Sequence, residues 1–202
     1  MIDLTSLIKL AKDLNLIQQV RGKLMRRNEP AAEKLAEVLD ELAKMVSALD
    51  EEIVRYLSLS FNDDTVVAGR TVLLGMEAGQ SMLRMGEARG HCHKIGNIYD
   101  KYLKRWFHDV LDKNEAQQLD FLFDTLNTAD SAMLYAMESV TGWLRDEARQ
   151  TLDQVDFNDL LGANQRIRDA RLQVRDARVQ LTEAMSSLRA MQAEFIAVAK
   201  TI

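Results

Sequence analysis

Hydrophobic residues recur at every seventh position along the last part of the chain, from Ile167 to Ile202. A second row, four residues ahead of the first, runs from Ala163 to Val198. Rows with this spacing lie side by side on one face of an α-helix and form a coiled-coil seam. The first row carries large side chains and the second mostly alanine. The pattern predicts a final helix from about residue 159 to 202, packed along other helices of similar length.

Similar spacing predicts four earlier helices, over residues 3–27, 30–60, 65–112 and about 115–153. They are separated by turn-forming residues at 28–30, 61–65, 112–115 and 153–159. Short connections place consecutive long helices antiparallel beside each other. The predicted fold class is therefore all-α, an elongated antiparallel up-down bundle of four long helices with an additional N-terminal amphipathic helix. We expect residues 1–29 to form that leading helix and residues 30–202 the four-helix bundle, as one domain overall.

The predicted third helix carries a seam that is small in its middle and aromatic at its C-terminal end. Its members are Val67, Thr71, Leu74, Ala78, Ser81, Met85, Ala88, Cys92, Ile95, Tyr99, Tyr102 and Trp106. Folding the chain back on itself predicts an aromatic cluster at one end of the bundle, with a smaller one at the other. The larger cluster is expected to contain Tyr99, Tyr102, Trp106, Phe107, Phe121, Phe123 and Phe195, and the smaller one Tyr56, Phe61 and Phe157.

Four glycines inside the same predicted helix lie within about 60° of one another on a helical projection. Because each costs about 1 kcal/mol relative to alanine, the stripe needs an explanation. The plain one is close approach of another helix, such as the leading helix, or filling of the gap by Trp143. The alternatives are a homodimer or partner interface, or a small-molecule groove. The candidate residues are Gly75, Gly79, Met82, Gly86, Gly90, His93 and Asn97.

A ladder of arginines on the last helix is the most basic local face of the chain. It consists of Arg168, Arg171, Arg175 and Arg178. The second predicted helix has an acidic face that we expect to be exposed, made of Glu33, Glu37, Asp40, Glu41, Asp50, Glu51 and Glu52. Salt bridges between these two helices are the default expectation for the ladder. An anionic partner is the alternative.

Composition narrows the class of protein. A net charge of −5 and a pI near 5.3 argue against general nucleic-acid binding, which needs a basic surface. One cysteine excludes an intrachain disulfide and suits a reducing compartment. No apolar run approaches the length of a membrane span, and the first residues lack the order of a signal peptide. We therefore expect a cytoplasmic location.

The sequence offers little that could carry catalysis or hold a metal. His91, Cys92 and His93 are consecutive, so on a helix they point about 100° apart and cannot converge on one ion. Glu87 lies one turn before His91, as an ion-pair partner or half of a ligand pair. Phosphate-binding loops, nucleophile elbows and zinc-type spacings are absent from the sequence. We expect no enzyme activity, no cofactor and no native metal site.

The leading functional hypothesis is a non-enzymatic helical-bundle protein that acts through protein–protein contacts, as a scaffold, adaptor or regulated effector. Its partner would be another protein or a second copy of the chain. One alternative is a membrane-associating effector whose residues 1–29 detach and insert shallowly at a lipid surface. Another is a bundle that binds a small ligand or a metal.

Overall fold

The computed structural model describes residues 15–25, 29–127 and 132–200 of the chain. They form helices and, within those ranges, no β-strand, which confirms the predicted all-α class. The helices are α1 (residues 15–24), α2 (Glu29–Leu57), α3 (Val66–Glu77), α4 (Gln80–Ile98), α5 (Lys104–Val110), α6 (Lys113–Asn127), α7 (Ala132–Asp156) and α8 (Leu160–Ala199). A π-helical segment, Tyr99–Leu103, joins α4 to α5.

The seam of the last helix is buried as predicted. Leu181 and Leu188 are each 1% exposed, and the alanine row from Ala163 to Ala184 is buried beside them. The seam packs mainly against α2, whose own two rows of large apolar residues are buried from Leu35 to Tyr56. Small side chains on one row let the helices approach closely while the large row fills the space between them. Ile202 lies outside the described residues.

Polar contacts show that α2 and α8 run antiparallel. Arg171 donates to the carbonyl oxygen of Leu57, Arg178 to Asp50 and Gln192 to Asp40. From the first of these contacts to the last, the residue number on α2 falls from 57 to 40 while that on α8 rises from 171 to 192, as in an antiparallel pair. The Arg171 contact also satisfies one of the carbonyls that a helix leaves without a partner in its last turn.

The turns form where the sequence predicts them, because short polar side chains bind nearby backbone groups. The Asn62 side-chain oxygen accepts from the backbone N–H groups of Asp64 and Thr65. Asp112 and Glu115 each accept from the other's backbone N–H, which is a capping box at the start of α6. Asp159 caps α8 by accepting from the backbone N–H of Gly162.

The predicted continuous helix over residues 65–112 is wrong. Gly79 adopts a left-handed backbone conformation, with φ of 81°, and separates α3 from α4. A left-handed residue cannot continue a right-handed helix, and glycine adopts it without a steric penalty. Farther along, the π-helical segment again changes which side of the helix faces the core, so that Leu103 is buried and Tyr102 is 53% exposed. The two irregularities divide the predicted seam into parts that face different directions.

Gly79 and Gly90 should respond to alanine with opposite signs. Gly79→Ala places a Cβ on a left-handed residue and should destabilise the fold by about 1–2 kcal/mol. Gly90 is exposed inside α4 with nothing near its would-be Cβ, so Gly90→Ala should stabilise by about 0.5–1 kcal/mol. Urea unfolding of both variants measures this. Equal effects at the two positions would contradict the assignment of Gly79 to a helix break.

The larger aromatic cluster forms with fewer members than predicted. Tyr99 stacks on Phe123 with ring centroids 4.4 Å apart, and Phe107 packs against both rings. Trp106 adjoins Phe107. The predictions for Tyr102 and Phe121 are wrong, because they are 53% and 69% exposed.

The smaller predicted cluster is likewise incomplete. Tyr56 is buried in an edge-to-face contact with Trp143, and Phe61 is buried against Gly69. Phe157, the third predicted member, is 86% exposed.

The described part of the leading helix packs on the rest of the protein. Ile17, Val20 and Leu24 of α1 are buried. Arg21 pairs with Glu194 near the end of α8, at 2.6 Å, and Lys23 pairs with Glu115 at the start of α6, at 2.5 Å. Residues 1–14, which carry the remaining predicted apolar positions of this helix, lie outside the described residues.

Candidate functional site

The first part of the predicted third-helix seam faces solvent instead of the core. Val67 is 74% exposed and Leu74 is 40% exposed, and Thr71 and Ala78 in the same row are also exposed. We call this row, Val67, Thr71, Leu74 and Ala78, the α3 outer row. It runs along one side of α3 for about 17 Å, at a rise of about 1.5 Å per residue. The prediction that these four residues belong to the core is therefore wrong for the described chain.

The opposite side of α3 packs on the core and on α7. Gly69, Leu73 and Met76 are buried there, with Leu73 at 0% exposure. A Cβ on Gly69 would lie 2.5 Å from the Phe61 ring, so glycine is what lets that ring pack against α3. Sequence reasoning missed Gly69 because it lies outside the predicted glycine stripe.

Two ion pairs fix α3 and α4 against α7. Arg70 donates to Asp156 at 2.8 Å, near the start of α3, and Arg89 of α4 lies 3.9 Å from Glu138. From the first pair to the second, the position along α3 and α4 rises from 70 to 89 while the position along α7 falls from 156 to 138, so α7 runs antiparallel to them. The contact with Asp156 also brings the exposed Phe157, which follows it, to the same end of the fold as the α3 outer row.

The predicted glycine stripe does not lie on one straight helix. Gly75 is buried beneath the side chain of Gln80, Gly79 forms the helix break, and Gly90 is exposed with nothing within 4 Å of a would-be Cβ. Among the described residues, the atoms nearest a would-be Cβ on Gly75 belong to Gln80 of α4, and none lies within 4 Å at Gly90, so the predicted close approach of the leading helix or Trp143 is not seen at Gly90. Met82 and Gly86 are in α4, but the side chain of Met82 and the surroundings of Gly86 lie outside what the structure describes. His93 and Asn97 are exposed on α4, and an interface or groove at the stripe stays a prediction.

The arginine ladder is divided between internal and exposed roles. Arg178 makes the expected salt bridge to α2, with two hydrogen bonds to Asp50 at 2.7 and 3.1 Å, and Arg171 binds a backbone carbonyl instead of a carboxylate. Arg168 bonds the side chain of Gln165, its neighbour on the same helix. Arg175 pairs with Asp176, and both are largely exposed. Salt bridging to α2 therefore accounts for one of the four arginines.

A buried carboxylate joins α2 to α4. Glu41, which the sequence places on the exposed acidic face, is 3% exposed. It accepts from Lys94 at 2.8 Å and from Lys44 at 3.3 Å, and it also binds the ring of His91. His91 therefore pairs with Glu41 and not with the predicted Glu87. Burial alone would raise the pKa of Glu41, but its bonds to Lys94, His91 and Lys44 outweigh burial and lower it to about 2.

The Glu41 cluster should make stability depend on acid pH. A carboxyl group whose pKa falls from 4.5 in the unfolded chain to about 2 in the folded one stabilises the fold above pH 4.5. This contribution, about 3 kcal/mol, is lost as the pH falls from about 4.5 towards 2. Urea unfolding across that pH range should show that the free energy of unfolding falls less with acidification for Glu41→Gln than for the original protein. Glu33→Gln, at an exposed site on the same helix, is the control, and a profile for Glu41→Gln that matches it would contradict the expectation.

Three other titratable side chains, Tyr99, His108 and Cys92, also contact partners within the fold. His108 lies 2.8 Å from Asp120, and the Tyr99 hydroxyl donates to the same carboxylate. Burial is the main cause that raises the pKa of Tyr99, and the neighbouring Asp120 carboxylate raises it further, so the hydroxyl stays protonated. Cys92 is buried with its sulfur 3.7 Å from that of Met45. Across residues 15–25, 29–127 and 132–200, no three His, Cys, Asp or Glu side chains are grouped so that they could hold a metal ion.

Comparisons with protein-family models, with curated proteins and with solved structures gave no match to this chain. Among the described helices, none has the length and apolar character needed to cross a membrane.

Proposed function

We propose that the chain is a non-enzymatic helical-bundle protein that acts through protein–protein contacts, as a scaffold, adaptor or regulated effector. The observation that carries this proposal is the α3 outer row, a line of uncharged side chains that the protein's own core leaves exposed. The partner element that fits it is an apolar ridge of another protein's helix.

The composition of the row supports a covered surface more than a permanently solvated one. The solvent side of a surface helix is normally rich in charged residues. Val67, Thr71, Leu74 and Ala78 carry no charge, and Arg70 of α3 is drawn aside by its pair with Asp156. Apolar patches with charged residues at their margin are typical of protein interaction sites. Phe157, which follows the Asp156 that pairs with Arg70, is a further exposed apolar side chain at the same end of the fold.

A binding role also suits the arrangement of the histidines. His91 and His108 are each held by a carboxylate, Glu41 and Asp120, in contacts that link helices to one another. These pairs join α2 to α4 and the α5 region to α6, which is a structural use. We therefore propose contact with a partner, and not turnover of a substrate, as the activity of the chain.

The architecture proposed for this role is an elongated antiparallel up-down bundle of four long helical columns, with α1 packed at one end. The antiparallel contacts of α2 with α8 and of α3 and α4 with α7 support it, as does the short connection from α7 to α8. A rod of this kind presents long side faces to partners. The single cysteine supports a cytoplasmic location, where thiols stay reduced.

Quantitative affinity purification from the cells that express the protein tests this proposal. We expect the double variant Val67→Lys plus Leu74→Lys to recover at least tenfold less of a partner than the original protein does. The control Phe121→Lys should recover as much of that partner as the original protein. Binding of that partner must then be reproduced with the two purified proteins. Equal recovery with all three proteins would contradict a role for the α3 outer row.

A further inference from the structure

The exposed face of α8 carries three parallel rows of different character. Directly opposite the buried seam lies a central row, Gln165, Leu172, Val179, Ser186 and Ala193. About 50° to one side lies a basic row, Arg168, Arg175 and Arg189, and about 50° to the other an acidic row, Asp169, Asp176 and Glu183. All eleven of these side chains are exposed.

The central row is the apolar part of this face. Leu172 is 68% exposed and Val179 is 52% exposed, on a helix whose other side is fully packed. Ser186 and Ala193 continue the row with small side chains, which allow a second helix to approach closely. A shallow depression of about 310 Å³ lies between Val179 and the basic side of α8; Arg171, Arg175, Arg178, Val179, Thr182 and Glu183 line it.

The flanking charges are not used to hold α8 in the fold. Arg171 and Arg178, on the side towards α2, make the internal contacts described above, whereas Arg168 and Arg175 bond neighbours on their own helix. The side chains of Arg175 and Asp176 are 70% and 84% exposed. Exposed pairs of this kind contribute about 0–1 kcal/mol, so they can exchange partners at little cost.

We propose that a second copy of the chain docks on this face, with the two α8 helices parallel and related by a two-fold axis along the bundle. That rotation places the basic row of each helix against the acidic row of the other, with Leu172 and Val179 meeting their counterparts between them. An antiparallel pair would instead place basic against basic and acidic against acidic. The charges therefore select one direction as well as the partner, as flanking charges do in coiled coils.

The face is long enough for a stable dimer. The three rows extend from Gln165 to Ala193, about 42 Å, and a strip about 13 Å wide along them covers about 550 Å² on each copy. The total, about 1,100 Å², exceeds the area of about 1,000 Å² expected of a biological interface. This inference does not depend on the α3 outer row, which lies on another helix.

Solution mass and charge exchange test the proposal. Light scattering of the full chain should give twice the 22.9 kDa of one chain. The double variant Arg168→Glu plus Arg175→Glu makes both flanking rows acidic, and the double variant Asp169→Arg plus Asp176→Arg makes both basic. The dimer of each double variant alone should have a dissociation constant at least tenfold higher than that of the original protein. Mixing the two should restore the dimer. A monomeric original protein, or a mixture that stays monomeric, would overturn the proposal.

Cysteine cross-linking tests the direction and does not depend on the charge variants folding well. Gln165→Cys and Ser186→Cys, made separately, should each form a disulfide-linked dimer on mild oxidation, because each position faces its own copy in a parallel pair. Gln150→Cys, exposed on α7, is the control that should stay unlinked, and the native Cys92 is buried. Failure of both α8 positions to cross-link would overturn the parallel arrangement.

Discussion

Phe123→Ala is expected to destabilise the protein by about 3–5 kcal/mol, whereas Phe121→Ala should change its stability by less than about 0.5 kcal/mol. Phe123 is fully buried, stacked on Tyr99 and close to Phe107, so truncation removes a large apolar surface and leaves a cavity. Phe121 lies two residues earlier on the same helix and is 69% exposed. The two variants remove the same atoms from the same helix and differ in burial.

Urea unfolding followed by circular dichroism measures both free energies. The loss expected for Phe123→Ala is a large fraction of the free energy of unfolding of a typical domain, so the urea midpoint should shift clearly. Comparable losses at the two positions would mean that both rings share the core, as the sequence alone suggests, and would contradict the orientation of α6.

The fold class and the packing of α8 could be predicted from the sequence because their signal is long and unambiguous. The α8 seam repeats every seven residues from Ala163 to Phe195, whereas on the opposite face Leu172 and Val179 form a narrow row between a basic row and an acidic row. Burying the wrong face would have placed arginines and aspartates in the core. The turns were equally clear, since Asn62, Asp112 and Asp159 bind local backbone groups in the way their position in the sequence suggests.

The orientation of α3 could not be predicted because its sequence is apolar on nearly every side. Val67 and Leu74 form one possible core row, and Leu73 and Met76 form another. Periodicity does not decide between two apolar rows of the same helix. The choice depends on Gly79, which ends α3 and lets α4 start with a different face inward, and on Gly69, which admits the ring of Phe61. Neither effect is visible in a helical pattern of hydrophobic positions.

The Glu41 cluster was missed for a different reason. Glu41 belongs to an acidic stretch of α2 that has the usual appearance of a solvated helix face. Its burial depends on Lys94 and His91, which come from α4, about 50 residues along the chain. Contacts between distant segments leave no local pattern in the sequence around Glu41. The buried charge of Glu41 is acceptable only because Lys94 and His91 lie beside it.

The proposed interaction surface depends on the orientation of α3, and substitutions at two adjacent leucines test that orientation. Leu73 is 0% exposed and Leu74 is 40% exposed. Leu73→Lys should cost about 4 kcal/mol or more, because it places an unpaired charge in the core. Leu74→Lys should cost less than about 0.5 kcal/mol, because its ammonium group remains in water.

Urea unfolding of Leu73→Lys and Leu74→Lys is the decisive measurement, and Leu73→Ala against Leu74→Ala gives the same comparison if the lysine variant does not fold. We expect a large loss of stability at position 73, about 2–5 kcal/mol for the alanine variant, and little change at position 74. The reverse order would show that Val67, Thr71, Leu74 and Ala78 face the core, and it would remove the surface proposed to bind a partner.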